Sequence, residues 1–506
     1  MNKKYIASLF VALLVGAMPA VTMAQKRSSE PVKRDAVPIP AVSADSLMKH
    51  VMELSSETYE GRLAGSEGYN RAARYVGRLL DGYGVKVLPS PAFPIECNEV
   101  ENCKFNVYVP GSKDKRVFTL GNEFCCAGMT GRGYVDAQMV FCGYGVDNGS
   151  FNEYRDVDVK GKIAVVLTSV PGHLPSSVTD RYSTLRDKAR TAERHGAIGM
   201  LAINVSPTCL PSQPQGTVYC GELPHLTTFP ILQLTLDCGR EILNDEKMPL
   251  DSVIDLLSTE HKVQSFALLK KAEIDVNARY SPQASTANVI GILEGNDNML
   301  KKEYIVVGAN LDGEGMQGET CLFPGADINA SGAATLIETA RVLSNPDYRP
   351  KRSVVFVFFS GGEQQNLGSR MFTSTFPQLR RVEAFVGVQN VGYGDSIVVV
   401  GDGKYPTLCD IIYSRDTLVG NSNILRSAER TAPQGDARAF DAVGIPSMTV
   451  GTHNGLHNNR VSTDIWENID RRILKIAGQL VTETVCELGE GLYQGRSPKS
   501  KSLRGN

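Results

Sequence analysis

Five apolar runs in the second half of the chain constrain its fold more than any other feature: Tyr304 to Val307, Val354 to Phe359, Phe385 to Val388, Ile397 to Val400 and Ile445 to Val450. They are continuous rather than alternating, so each predicts a strand buried on both faces. Strands of that kind make a mostly parallel sheet covered by helices, an α/β fold. Helical segments lie between several of the runs, and a last helix from Arg472 to Leu488 closes the domain. Between Glu303 and Arg370 the stretches EYIVVGANLDGEG, PGADINASGAATLIETARVL and SVVFVFFSGGEQQNLGSR gather polar residues just after apolar strands. The carboxyl ends of parallel strands are where an open α/β sheet places its active site.

At 506 residues the chain exceeds one ordinary domain. A helix starts at Ala44 with Leu47, Val51 and Leu54 on one face. After EGRLAGSEGYN a second helix carries Ala73, Val76, Leu79 and Leu80 and stops at Gly82-Tyr83-Gly84, followed by a short strand at Val85 to Leu88. Between about Arg132 and Leu256 the texture changes. DAQMVFCGYGV, KGKIAVVLTSV, HGAIGMLAINV and FPILQL read as strands, and Leu185 to His195 as a helix. The signals of the outer domain resume at Asn288, so the block reads as an insertion, with a peptidase-like outer domain over 41–125 and 280–490 and a smaller domain over 126–265.

The first 24 residues have the basic, apolar and small-residue parts of a secretory signal peptide, with cleavage near Ala24. Export, periplasmic or secreted, is the expectation, with no membrane span once the signal is removed, because Gly16 and Pro19 interrupt a run that is short for a span. Residues 25–40 read as a linker and the basic stretch 491–506 as a disordered tail. Losing Lys3 and Lys4 moves the formal net charge from -2 to -4, which is no footprint for nucleic acid. Eleven cysteines are an odd number for an exported chain. Cys97 and Cys103 are spaced for a small disulfide loop, Cys125 and Cys126 are too close to bridge each other easily, and no CxxC marks a structural metal site.

Taken in order, EGRLAGSEG, GYGVDNG, DVKGKIAVVL, HGAIGML, TANVIGILEG, VVGANLD, PGADINASGAATLIETAR, FVFFSGGEQQNLGSRMF and DAVGIPSMTV resemble the co-catalytic zinc aminopeptidases, metallopeptidase family M28, with an inserted protease-associated domain. The resemblance runs from Leu47 to Leu488 and implies the fold of that family, with a β-rich α/β insertion. In the family two zinc ions share a water and are held by five side chains, with a further glutamate as general base. Such a site needs several anionic or imidazole ligands.

Carried over residue by residue, the resemblance assigns the first His ligand to Asn310, the bridging Asp to Ile328, the base to Gly362, the adjacent Glu ligand to Glu363, the next Asp to Gln389 and the late His to Arg460. Only Glu363 is ligand-competent as in the family. The supporting Asp312 and the Asn329 of the turn remain. No catalytic residue and no metal or other cofactor is therefore expected, and Glu363 is free to pair with Arg460. Asp312, Asp327, Asn329, Glu363, Arg460 and His457 form the expected vestigial cleft. Glu314, Glu319, Asp327, His453 and His457 lie in the loops that would supply ligands to an unorthodox site, in which case two zinc ions are the cofactor. Asp327 is expected to point elsewhere, and His457 is the best single replacement for the late His.

His50, His173, His195, His225 and His261 read as isolated surface or core histidines. Ser360, in FFSGG, does not fit the GxSxG elbow. Three functions remain open: a degenerate peptidase with a cleft for a peptide or protein ligand, an active zinc aminopeptidase with an atypical site, and an interaction protein that binds through its inserted domain.

Overall fold

The computed structural model describes residues 41–109, 111–205, 224–262, 264–418, 424–425, 431–454 and 460–495. The expected signal peptide, the linker, His457 and the tail from 496 lie outside these residues.

The apolar runs form the centre of an eight-stranded sheet. Tyr304–Asn310 lies between Ser353–Phe359 and Val382–Val388, parallel to both, and Ser447–His453 continues the parallel order. Lys86–Leu88 and Val289–Leu293 add an antiparallel edge, and Ser396–Val400 pairs antiparallel with Ser447–His453. Ser353–Phe359 and Val382–Val388 are buried along their whole length, as continuous apolar strands under helices must be. Two covering helices, Gly332–Leu343 and Arg471–Gly489, are themselves largely buried. The first two helices span Ala44–Leu54 and Glu67–Gly82, each started by a serine, Ser43 or Ser66, whose side chain accepts a first-turn N–H.

A second sheet of ten strands holds the inserted domain. It contains the expected strands at Gly133–Cys142, Ile163–Leu167, Gly199–Ile203 and Ile231–Leu234. It also takes in two long antiparallel strands, Phe93–Tyr108 and Ser265–Thr286, which leave and re-enter the outer domain side by side. Their register shifts at Ile95/Cys97 and at Val100/Asn102. Each shift breaks the period-two alternation that marks a half-buried strand, which hides the ribbon from a sequence reading.

The ribbon corrects the expected Cys97–Cys103 loop. Both residues lie on one extended strand, at about 3.3 Å per residue far beyond the reach of a disulfide. None of the nine described cysteines is in a disulfide, and all nine are buried.

A candidate cleft at the carboxyl ends of the central strands

Arg62, from the EGRLAGSEG stretch, organises the loops above the sheet. It is fully buried and donates to four backbone carbonyls: Leu311 at 3.0 Å, Pro324 at 2.9 Å, Gly325 at 2.8 Å, and Leu54. The backbone of Gly61 and Arg62 also accepts from Gly315 and Gly313. A Cβ at Gly61 would stand 2.1 Å from the Gly315 carbonyl, so only glycine allows this approach. Sequence reasoning passed over Arg62. The signal was an arginine inside an otherwise small-residue loop.

Asp312 joins the loop after Tyr304–Asn310 to the turn after Ser353–Phe359. Its Oδ2 accepts from the N–H groups of Gly361 and Gly362, both at 3.0 Å. Asn329 donates to the Asp312 carbonyl at 2.8 Å. Burial, with Glu363 adding to it, pushes the Asp312 carboxyl up to about 7. Asp464 clamps the opposite side, accepting from the N–H groups of Asp327 at 2.8 Å and Ile328 at 3.0 Å. The Asp327 side chain is buried, and its Oδ1 accepts from Gly392 N–H at 2.8 Å and from Ser331 Oγ at 3.0 Å.

Within this frame Arg460 Nη2 lies 2.6 Å from the Glu363 carboxylate, and its Nε lies 3.5 Å from Glu314. Burial holds both glutamates above the usual carboxylate range, with Arg460 pulling against it. The side chain of Ile328 is buried. Asn310 is buried beside Gly362, where an added Cβ would come within 2.7 Å of the amide carbon. Gln389 donates to Asp436 at 3.1 Å, and burial pushes the Asp436 carboxyl up to about 6. The cleft is therefore a set of acids, the buried Asp312, Glu314 and Asp436 and the half-buried Glu363, faced by the Arg460 guanidinium. Glu314 was named in the sequence only as a spare ligand, and its place beside Arg460 depends on a loop path that no periodicity reports.

The remaining candidates are elsewhere. Glu319 is exposed at the turn between the short strands Met316–Gln317 and Cys321–Leu322. His453 points to Asp395, 3.2 Å away, on an exposed edge. Ser360 is buried and shares a 2.7 Å hydrogen bond with Thr286. His50, His195 and His225 lie against Tyr75, Tyr154 and Tyr280 respectively. His173 and His261, read as isolated, stand with their rings 4.4 Å apart, because the fold brings two distant loops together. Among the described residues no three His, Cys, Asp or Glu side chains converge as metal ligands would.

A mostly parallel sheet with its polar cleft at the strand ends, and a smaller domain inserted ahead of it, is the architecture of the zinc aminopeptidases. Residues 288–485 match the model of Peptidase family M28 and residues 135–241 that of the PA domain, so the chain is an M28-like protein with an inserted PA domain. The structure of BSAP, a zinc aminopeptidase from Bacillus subtilis, superposes with a TM-score of 0.62 at 20% identity, over 90% of this chain and 96% of that one. Transferrin receptor protein 2 of Homo sapiens is 30% identical over 113 residues, 21% of this chain. A protein named "Probable zinc metalloprotease" from Pyrenophora teres f. teres is 29% identical over 122 residues, 23% of this chain. The matched stretches span only 13% and 25% of those two relatives.

Proposed function

We propose that this chain is an exported, catalytically degenerate relative of the M28 peptidases whose cleft binds a peptide or protein partner. The observation that carries the reading is the Arg460–Glu363 ion pair. It places a permanent cation on the one family ligand position that is still a carboxylate. The other donors do not fit a zinc pair either: Ile328 offers no lone pair, Gly362 no base, Asn310 only an amide, and Gln389 an amide engaged with Asp436. A cleft with exposed parts of Arg460 beside buried acids offers a charged and hydrogen-bonding surface to a ligand. The likeness to a protein named as a transferrin receptor supports a binding role.

Retention of four acids in the cleft, three of them buried and Glu363 half-buried, favours a second reading, an active zinc aminopeptidase with an atypical site, and the likeness to a protein named as a zinc metalloprotease supports it. Elemental analysis of the purified mature protein, with hydrolysis assays on leucyl and glutamyl substrates in added zinc, separates the two. No bound zinc and no turnover are expected. About two zinc per chain with chelator-sensitive hydrolysis overturns the proposal. Export is tested on the same sample, whose N-terminal residue is expected to be Gln25.

A further inference from the structure

Three separated parts of the chain bring four buried thiols together: Cys103 on the long ribbon, Cys125 and Cys126 on the strand Phe124–Cys126, and Cys321 on the Cys321–Leu322 strand. Adjacent residues of a strand face opposite sides, and here each side holds a different sulfur. Cys126 faces the core that contains Phe105 and Cys103, and the strands that carry the two cysteines, Phe93–Tyr108 and Phe124–Cys126, pack against each other. Cys125 packs on the other side against Cys321 and Phe323. The same vicinal pair that cannot easily bridge itself is thereby presented to two separate partners. The four thiols do not converge as metal ligands.

We infer that this cluster is a two-disulfide site, Cys103 with Cys126 and Cys125 with Cys321. Each bridge forms by exchange with a small-molecule or protein disulfide. One thiolate attacks a sulfur of that disulfide and releases its first thiol. The second cysteine then displaces the remaining half. Per bridge, two S–H bonds are lost and one S–S bond is made, and the two electrons and two protons leave on the two thiols of the oxidant. The Cys125–Cys321 bridge fastens the loop that carries Glu314 to the inserted domain. Gln317 of that loop already holds the Cys126 backbone, accepting from its N–H at 2.8 Å and donating to its carbonyl at 2.9 Å. In the cell the oxidant would depend on the export proposed above, but the chemistry can be tested without it.

The full chain is refolded in a buffer of reduced and oxidised glutathione, alkylated with iodoacetamide in denaturant and digested without reductant for mass spectrometry. The expected product is one species joining the peptides of Cys103, Cys125-Cys126 and Cys321. Cys125→Ser should release only the Cys321 peptide, and Cys126→Ser only the Cys103 peptide. Reduction of the wild type should lower its melting temperature by roughly 5 °C or more. Alkylation of all four cysteines in the wild type, which needs no variant to fold, overturns the assignment, as does release of the opposite peptide from either variant.

Discussion

Arg460 Nη2 and the Glu363 carboxylate meet at 2.6 Å, with the glutamate more deeply buried than the arginine. Removing Arg460 strands Glu363 and Glu314 without their cation. Arg460→Ala is expected to cost about 1–2 kcal/mol in urea unfolding, below the figure for a fully buried pair because the guanidinium is partly in water. Arg460→Ala combined with Glu363→Gln should recover part of that loss. Costs of Arg460→Ala and Glu363→Gln measured singly that add up to the cost of the double variant would show that the two side chains are not energetically coupled.

Gly362 and Asn310 occupy one space between them. Gly362→Ala would press a methyl group into the Asn310 amide and is expected to destabilise by about 1 kcal/mol. In an Asn310→Ala background the same change should cost little or nothing. Equal costs in the two backgrounds would place the clash elsewhere.

Four carbonyls depend on one guanidinium at Arg62. Arg62→Lys keeps the charge but not the planar fork, leaving buried carbonyls unpaired, and is expected to lose about 3 kcal/mol or more. Chemical denaturation measures this directly. A loss below about 1 kcal/mol would mean that water or a rearranged loop replaces the bonds.

His50 is buried on the Ala44–Leu54 helix, with Nδ1 2.7 Å from the Tyr75 hydroxyl. Burial pushes it down to about 4 from its ordinary 6.5. The folded state therefore binds fewer protons than the unfolded chain between those values, and the stability tied to neutral His50 is present above pH 6.5 and lost as pH falls toward 4. Buried carboxylates titrate with the opposite sign in the same range, so the measurement is a difference. Between pH 7 and pH 5 the wild type should lose about 2 kcal/mol more than His50→Gln. Parallel pH profiles for the two proteins would remove His50 from the account.

The central sheet was readable because strands such as Val354 to Phe359 are apolar without interruption, and the helix of Gly332–Leu343 begins at an evident turn. The ribbon of Phe93–Tyr108 with Ser265–Thr286 was not, since its bulges reset the alternation and its pairing joins residues far apart in sequence. In the cleft, spacing located Glu363 and Arg460 in their loops. It could not place Glu314 beside them, because that depends on how Arg62 and Gln317 hold the intervening loop.

That ribbon also decides how stiffly the insertion is mounted. Phe93 pairs with Thr286 at the outer domain, and the same two strands still pair at Val107 and Ala272 inside the other sheet. The insertion thus joins the outer domain through a hydrogen-bonded beam, where two loose loops would have acted as a hinge. Displacing one sheet against the other therefore means flexing the beam itself.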